Sequence, residues 1–342
     1  MKKIRLAVVG ATGLVGRTVL KVLEEKKLPI DEYVLFASKN SSGKKLRFMD
    51  KDYIVQELND LSFDSGFDYA IFSAGGKVAK KYAPIASSKG CIVVDNSSAF
   101  RMDNDVPLVV PEVNPEEIKN NHGIIANPNC STIQAVVALK PLDAKYKIKR
   151  IVYSTYQAVS GAGRNGVLDL ENGIKDYINE ANSNYELQKF DYPIFSNCLP
   201  HIDVFLENGY TKEEEKMINE TRKILKKPDL KITATTVRVP VFNSHSESIN
   251  IEFEKELGKD FELEDVIKTL SSAPGIILQD NVSVEKPIYP LAINSSGHDE
   301  VFVGRVRKDY SIKSGINLWV VADNIRKGAA TNAVQIVELL LK

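Results

Sequence analysis

Cysteine is scarce: Cys91, Cys130 and Cys198 are the three in 342 residues, an odd number at wide spacings. Such a set implies no disulfide framework. With neither a Cys-x-x-Cys nor a His-Glu-x-x-His pattern, it offers no local metal-site signature either. An excess of one charge is equally absent, since 45 basic residues face 45 acidic ones for a formal net charge of zero. Chains that live on nucleic acid or anionic membranes need a basic excess, so neutrality argues against both, though not against a local patch. Long apolar runs are missing too. No stretch reaches the ~18 residues of a membrane span. The run that opens at Ile4 stops at Gly10, which fits a buried strand better than a signal peptide. What remains is a globular protein of a reducing compartment, expected in the cytoplasm, with length for roughly two domains.

Up to residue 128, short apolar runs alternate with helical patterns. Residues 4–10, 32–37, 69–73 and 92–95 are almost continuously apolar and rich in Val, Ile and aromatics, as strands covered on both faces are. Residues 14–25 and 78–88 read as crossover helices, the second weakened by Pro84. This half predicts an α/β, Rossmann-type doubly wound nucleotide-binding domain. After Cys130 the texture changes. Residues 249–254 alternate apolar and polar, the mark of a strand with one wet face. Residues 301–309 and 315–322 read as further long strands, and 213–225 as a charged amphipathic helix. The second half is therefore expected to be α+β with a mixed or antiparallel sheet. Residues 324–341 read as a terminal helix with Val334, Val337, Leu340 and Leu341 at core spacing.

Gly10-Ala11-Thr12-Gly13-Leu14-Val15-Gly16 falls where the first strand passes into the first helix. Glycines there permit a tight turn and close backbone approach, and a helix N-terminus offers N–H groups to a pyrophosphate. The same triplet also serves plain βα turns. No Gly-x4-Gly-Lys-Ser/Thr pattern is present, which argues against a nucleoside triphosphate. At the end of the second strand, Ser38-Lys39-Asn40-Ser41-Ser42-Gly43-Lys44 supplies hydroxyls, an amide and two lysines but no acid. An acid there would bind the ribose hydroxyls of NAD; its absence, with lysines nearby, suits the 2′-phosphate of NADP.

Asn127-Pro128-Asn129-Cys130 leads into an apolar helix over 133–139, and Pro128 forces Asn127 into an extended conformation. Cys130 therefore sits at or just before a helix N-terminus, where the dipole lowers a thiol pKa and N–H groups can hold an oxyanion. Cys91, inside a strand, and Cys198 read as ordinary small hydrophobes. A thiolate nucleophile needs an acid/base partner. Of four histidines, His122, His201 and His298 lie in polar or loop segments, while His245 falls between two strands with Arg238 upstream.

Together these segments resemble the aspartate-semialdehyde dehydrogenases. The matching stretches are 10–16, 95–103, 109–114, 127–130, 157–163, 220–225, 238–241 with His245, and 319–324, in the family's order across nearly the whole chain. Residues 165–192 are the least family-like. The resemblance implies phosphate-dependent, reversible oxidation of aspartate 4-semialdehyde to 4-aspartyl phosphate with NADP, on the route to lysine, threonine, methionine and diaminopimelate. Cys130 would form a thioester and His245 would be the general acid/base, with a pKa near working pH. Asn129 and the Cys130 N–H would hold the oxyanion, and Gln157 would orient the acyl group or His245. Arg238 would hold the substrate α-carboxylate and Glu213 its ammonium group, while Arg101 and Lys216 would bind phosphate. NADP would meet Gly10, Thr12, Gly13, Leu14, Val15, Ser38, Asn40, Ser41, Ser73, Ser160, Gly161 and Asn324. The family also implies a discontinuous NADP-binding domain (1–129 with 324–342), a catalytic and dimerisation domain (130–323), and a homodimer.

Three rivals remain open at the level of sequence. An N-acetyl-γ-glutamyl-phosphate reductase shares the cysteine logic. A non-covalent short-chain reductase or epimerase would need a Tyr-x3-Lys pair, which occurs once at Tyr185 and Lys189, far beyond the nucleotide half. A nucleotide-binding regulator would need no catalysis at all.

Overall fold

The computed structural model describes residues 3–179, 185–254 and 262–342. The chain forms two compact units, Met1–Asn129 with Gly328–Lys342, and Cys130–Lys327.

In the first unit, β1 (Arg5–Val9), α1 (Leu14–Lys26) and β2 (Glu32–Ala37) are followed by a separate hairpin, β3 (Lys45–Phe48) and β4 (Lys51–Ile54). Then come β5 (Gln56–Glu57), β6 (Tyr69–Phe72), α2 (Gly76–Ser88), β7 (Ile92–Asp95) and β8 (Ile124–Ala126). The sheet is six-stranded and parallel throughout, in the order β5-β2-β1-β6-β7-β8, the doubly wound arrangement. Strand side chains point alternately to opposite faces. Leu6 and Val8 of β1 pack with Leu35, Ile71, Val94 and the apolar stripe of α1, under a terminal helix that contributes Val334 and Val337. Ala7 and Val9 pack on the other face with Phe36, Phe72 and Ala79, Ala83 and Ala86 of α2. Both faces are thus covered, which is why these strands tolerate almost no polar residue. Pro84 lies inside α2 without ending it.

The second unit opens with α3 (Cys130–Tyr146), β9 (Ile148–Gln157), α4 (Gly163–Ile178), α5 (Lys212–Leu225), β10 (Lys231–Arg238) and β11 (His245–Phe253). It continues with α6 (Leu263–Ser271), β12 (Ile276–Leu278), α7 (Ala292–Ser295), β13 (Val301–Lys308) and β14 (Gly315–Ala322). Its mixed sheet runs β10-β9-β11-β14-β13-β12, parallel at the two outer pairs and antiparallel between. In β11 the buried Ile249, Ile251 and Phe253 alternate with half-buried Asn250 and Glu252, as the pattern requires. α3 is buried almost all round and continues through Pro141 beyond the expected 139.

The terminal segment departs from the expected single helix over 324–341. Asp323 Oδ1 accepts the N–H groups of Ile325 and Arg326, starting the helical run after Asn324. One wide π-helical stretch, Arg326–Thr331, then precedes α8 (Asn332–Leu340). The return of the chain to the first unit falls at Gly328 rather than Asn324. Among the described residues, no helix is long and apolar enough to cross a membrane.

Candidate active site

In the first unit the three glycines of the β1–α1 turn do different work. Gly10 has φ +85°, and a Cβ there would lie 2.5 Å from Ser73 O. A Cβ on Gly16 would run into the Gly10 carbonyl, whereas one on Gly13 would meet that oxygen only at 3.4 Å. Gly10 and Gly16 therefore let the turn close on β6 and on itself, and Gly13 caps α1 with no side-chain hydrogen bond. Gly13 and Leu14 are exposed, Thr12 and Val15 half-buried. The loop after β2 is open to solvent at Ser38, Lys39, Asn40 and Lys44, with Ser41 half-buried. Ser73 Oγ accepts from Asn96 Nδ2 at 2.8 Å. Arg101, also in this unit, is buried and donates to the Asn127 and Asn96 carbonyls, each at 2.9 Å. Asn129 is buried at the unit's end.

The second unit assembles the remaining polar residues at one edge of its sheet. Parallel pairing sets Arg238, last in β10, level with Gln157, last in β9. The antiparallel pair Ser246–Tyr156 brings His245, the first residue of β11, to the same row. His245 thus opens a strand, where the sequence placed it between two strands. The turn before it passes through Ser244 at φ +72°. Asn324 braces that turn: its Oδ1 accepts the Ser244 N–H (2.9 Å), and its Nδ2 donates to Ser160 Oγ (3.0 Å).

One backbone unit organises the row. The Ala158 N–H donates to His245 Nδ1 at 2.9 Å, and the Ala158 carbonyl accepts from Arg238 Nη1 at 2.8 Å. With Nδ1 accepting, a neutral ring carries its proton on Nε2. His245 Nε2 and Arg238 Nε are both buried without a hydrogen-bond partner among the described residues. Gly161 lies over both side chains; a Cβ there would come 2.9 Å from Arg238 Nη1 and 3.1–3.2 Å from the imidazole. Cys130 begins α3, half-buried, as the sequence suggested.

On α5 a capping box starts the helix, Glu214 Oε2 accepting the Thr211 N–H at 2.7 Å and Thr211 Oγ1 accepting the Glu214 N–H at 3.3 Å. That start turns Glu213 inward, where it is only 5% exposed, not the solvated position a charged helix suggests. Glu213 accepts from Gln157 Nε2 (3.2 Å) and pairs with Lys216 (3.1 Å), which also pairs with Asp203 at 2.7 Å. Gln157 Nε2 thus holds Glu213, while His245 Nδ1 is held by the Ala158 N–H rather than by Gln157.

Burial works against the Lys216 ammonium, but Glu213 and Asp203 outweigh it and push its pKa up. Burial pulls the Arg238 pKa down against the pull of Glu213 and Cys130. A guanidinium starts so high that it stays charged. For His245, burial and then the Arg238 charge push the pKa well below 6.5. This corrects the expectation of a value near working pH: the ring is neutral, an Nε2–H donor fixed by the backbone.

Four contributors escaped the sequence reading. Ala158 acts through its backbone, which carries no residue-type signal. Asp203 sits outside any motif. Gln134 and Glu247 are completely buried beside the row. Gln134 stands one helical turn after Cys130, and Glu247 continues inward the phase of Ile249 and Ile251, so spacing alone could have found both.

Comparison with known proteins gives the family. Residues 5–121 match the family model described as semialdehyde dehydrogenase, NAD binding domain, and residues 139–327 match semialdehyde dehydrogenase, dimerisation domain. The aspartate-semialdehyde dehydrogenase of Aquifex aeolicus is 57% identical over 340 residues, covering 99% of this chain and 98% of its own. That of Bacillus subtilis is 47% identical over 344 residues, with 99% and 98% covered. The crystal structure of aspartate semialdehyde dehydrogenase II from Vibrio cholerae complexed with ASA superposes with a TM-score of 0.93 at 47% identity, covering 100% and 99% of the two chains. The Candida albicans enzyme with NADP reaches 0.75 at 27% identity, with 99% and 98% covered. Matched along nearly its whole length in sequence and in fold, the chain is an enzyme and belongs to the aspartate-semialdehyde dehydrogenase family.

Proposed function

We propose that the enzyme interconverts L-aspartate 4-semialdehyde and L-4-aspartyl phosphate, with NADP and inorganic phosphate, through a thioester on Cys130. The observation that carries this reading is the Ala158 arrangement: an Nε2–H donor and a guanidinium Nε, both buried and unpartnered among the described residues, held beside the Cys130 helix.

In the reductive direction the Cys130 thiolate attacks the acyl carbon. The carbon–oxygen bond to phosphate breaks, inorganic phosphate leaves, and the thioester remains. After reduction of that carbon, His245 Nε2–H hydrogen-bonds the hemithioacetal oxyanion, with the Cys130 N–H and Asn129 as further donors. Collapse breaks the carbon–sulfur bond, releasing aldehyde and returning the thiolate. Arg238 binds the α-carboxylate and Glu213 the ammonium group. Lys216 has three N–H donors and two carboxylate partners, which leaves one donor for phosphate, with Arg101 as the second phosphate ligand.

The first unit suits NADP on its own features: a closely packed glycine turn, a helix start with no capping side chain, and an exposed loop carrying Lys39 and Lys44 but no acid. Gly10, Thr12, Gly13, Leu14 and Val15 would hold the pyrophosphate and Ser38, Asn40 and Ser41 the 2′-phosphate, with Ser73, Ser160, Gly161 and Asn324 lining the remainder. When bound, the nicotinamide supplies or takes the hydride. The same reading makes the enzyme a cytoplasmic homodimer serving lysine, threonine, methionine and diaminopimelate synthesis.

The test is turnover of aspartate semialdehyde with phosphate and NADP, run beside its N-acetyl-glutamyl counterpart, with intact-mass detection of an acyl group on Cys130. Cys130→Ala should abolish both adduct and turnover. A Cys130→Ala enzyme that still reduces or oxidises substrate points instead to a non-covalent reductase. Activity confined to the acetylated semialdehyde points to the other reductase.

A further inference from the structure

Behind the reacting groups lies a carboxyl group to which nothing above gives a role. Glu247 is two residues beyond His245 on the same face of β11 and is 0% exposed. Cross-strand register sets it between Thr155 of β9 and Val320 of β14. Neither of its oxygens has a hydrogen bond of good geometry among the described residues. Its polar neighbour is Gln134 of α3, with Glu213 of α5 the nearby charge. Gln134 is itself 0% exposed and half satisfied: Nε2 donates to the His245 carbonyl at 3.3 Å, while Oε1 has no donor. Because the His245 carbonyl can only accept, the amide cannot be turned round, and Oε1 must remain the end that needs a donor. An ionised carboxylate can only accept, so it cannot relieve that oxygen; a protonated carboxyl can.

We propose that Glu247 is a positioning residue: as the neutral carboxylic acid it donates its proton to Gln134 Oε1 and so locks Gln134 against the His245 carbonyl. Gln134 is one turn along the helix that begins with Cys130, so the bridge fixes the start of β11 against the helix that carries the nucleophile. The assignment rests on reading Cys130 and His245 as the reacting pair. Burial pushes the Glu247 pKa well up, outweighing the lowering effect of the Gln134 side chain, and the charge of Glu213 adds to the rise, which keeps the proton on the carboxyl. One proton, with no additional group, thereby relieves Gln134 Oε1 and gives one of the two Glu247 oxygens a partner.

The experiment is a mutant cycle on the full-length enzyme, assayed with aspartate semialdehyde, phosphate and NADP. Glu247→Gln keeps a donor of the same shape and should hold kcat within about threefold of wild type. Glu247→Leu and Gln134→Leu each break the bridge and should lower kcat about tenfold with KM changed by less than about twofold. The double Leu variant should lose no more than either single variant, because the two residues act as one unit. It removes the Glu247 carboxyl and the unsatisfied Gln134 Oε1 together, so it keeps the test available should Glu247→Leu fail to fold. Equal losses in Glu247→Gln and Glu247→Leu, multiplying losses in the double variant, or a wild-type kcat in Glu247→Leu would each overturn the assignment. Cys130→Ala runs alongside: turnover there overturns the site itself, whereas its inactivity beside a fully active Glu247→Leu overturns only the role of Glu247.

Discussion

A methyl group at position 161 would lie 2.9 Å from Arg238 Nη1 and 3.1–3.2 Å from the His245 ring. Neither neighbour is at liberty to yield, since both are tied to Ala158, one through its carbonyl and one through its N–H. Gly161→Ala should therefore displace the donors while leaving the fold intact, cutting kcat by about 10- to 100-fold with an unchanged far-ultraviolet circular dichroism spectrum. A wild-type kcat would show that the two side chains relax without consequence. At this scale the sequence was readable where chemistry and local backbone coincide. Cys130 was legible because Pro128 and an apolar run fix a helix start around it. Gly161 was visible only through family resemblance and as a cofactor contact, because its closeness to Arg238 and His245 depends on how three strands align. The neutral state of His245 was not legible at all, since it follows from complete burial beside a guanidinium.

The elements themselves were largely written in periodicity. Continuous apolar runs became doubly covered parallel strands, and the alternation over 249–254 became the inner end of β11. What periodicity missed are elements held by single polar anchors. Residues 165–192, the least family-like stretch, were assigned no element, yet much of α4 lies there, and Asp169 on it accepts the N–H groups of Gln188, Lys189 and Phe190 at 2.7–3.0 Å. Asp169→Asn should cost about 2–3 kcal/mol of stability in chemical denaturation, because an amide nitrogen cannot accept what the carboxylate does. Unchanged denaturation would mean the segment finds other partners. β11 carries two buried titratable groups of opposite sign in their effect on stability. As pH falls through 6.5, the unfolded chain takes a proton that folded His245 refuses, so stability drops with acid. As pH rises above 4.5, the unfolded chain releases a proton that folded Glu247 keeps, so stability drops with base. Glu247→Gln removes only the second slope. Its Tm relative to wild type should climb steadily between pH 5 and pH 7 in thermal melts, and a constant offset would contradict a raised Glu247 pKa.

For the molecule as a whole, the two-unit organisation was legible from the change of texture at Cys130. The C-terminal part of the first unit begins at Gly328, and Asn324 lies inside the second unit, hydrogen-bonded to Ser160 and Ser244. Composition concealed something larger. A neutral chain with an ordinary apolar fraction gives no hint that large apolar residues gather on one short surface stretch. Val282, Val284, Ile288, Tyr289, Leu291 and Ile293 are all at least 40% exposed, within the part of the chain that matches a dimerisation domain. Burying one such side chain against a second copy is worth about 1.5–3 kcal/mol, and several together exceed what a lone surface residue needs to explain it. Ile293 is 82% exposed and lies in α7, so a charge there disturbs no core. Ile293→Lys should leave the melting curve of the isolated protomer intact and raise the dimer dissociation constant at least about tenfold, as read by sedimentation equilibrium. If the variant associates as tightly as wild type, the homodimer forms through another face, and the half-buried side of the mixed sheet around Tyr156 and Trp319 becomes the surface to charge next.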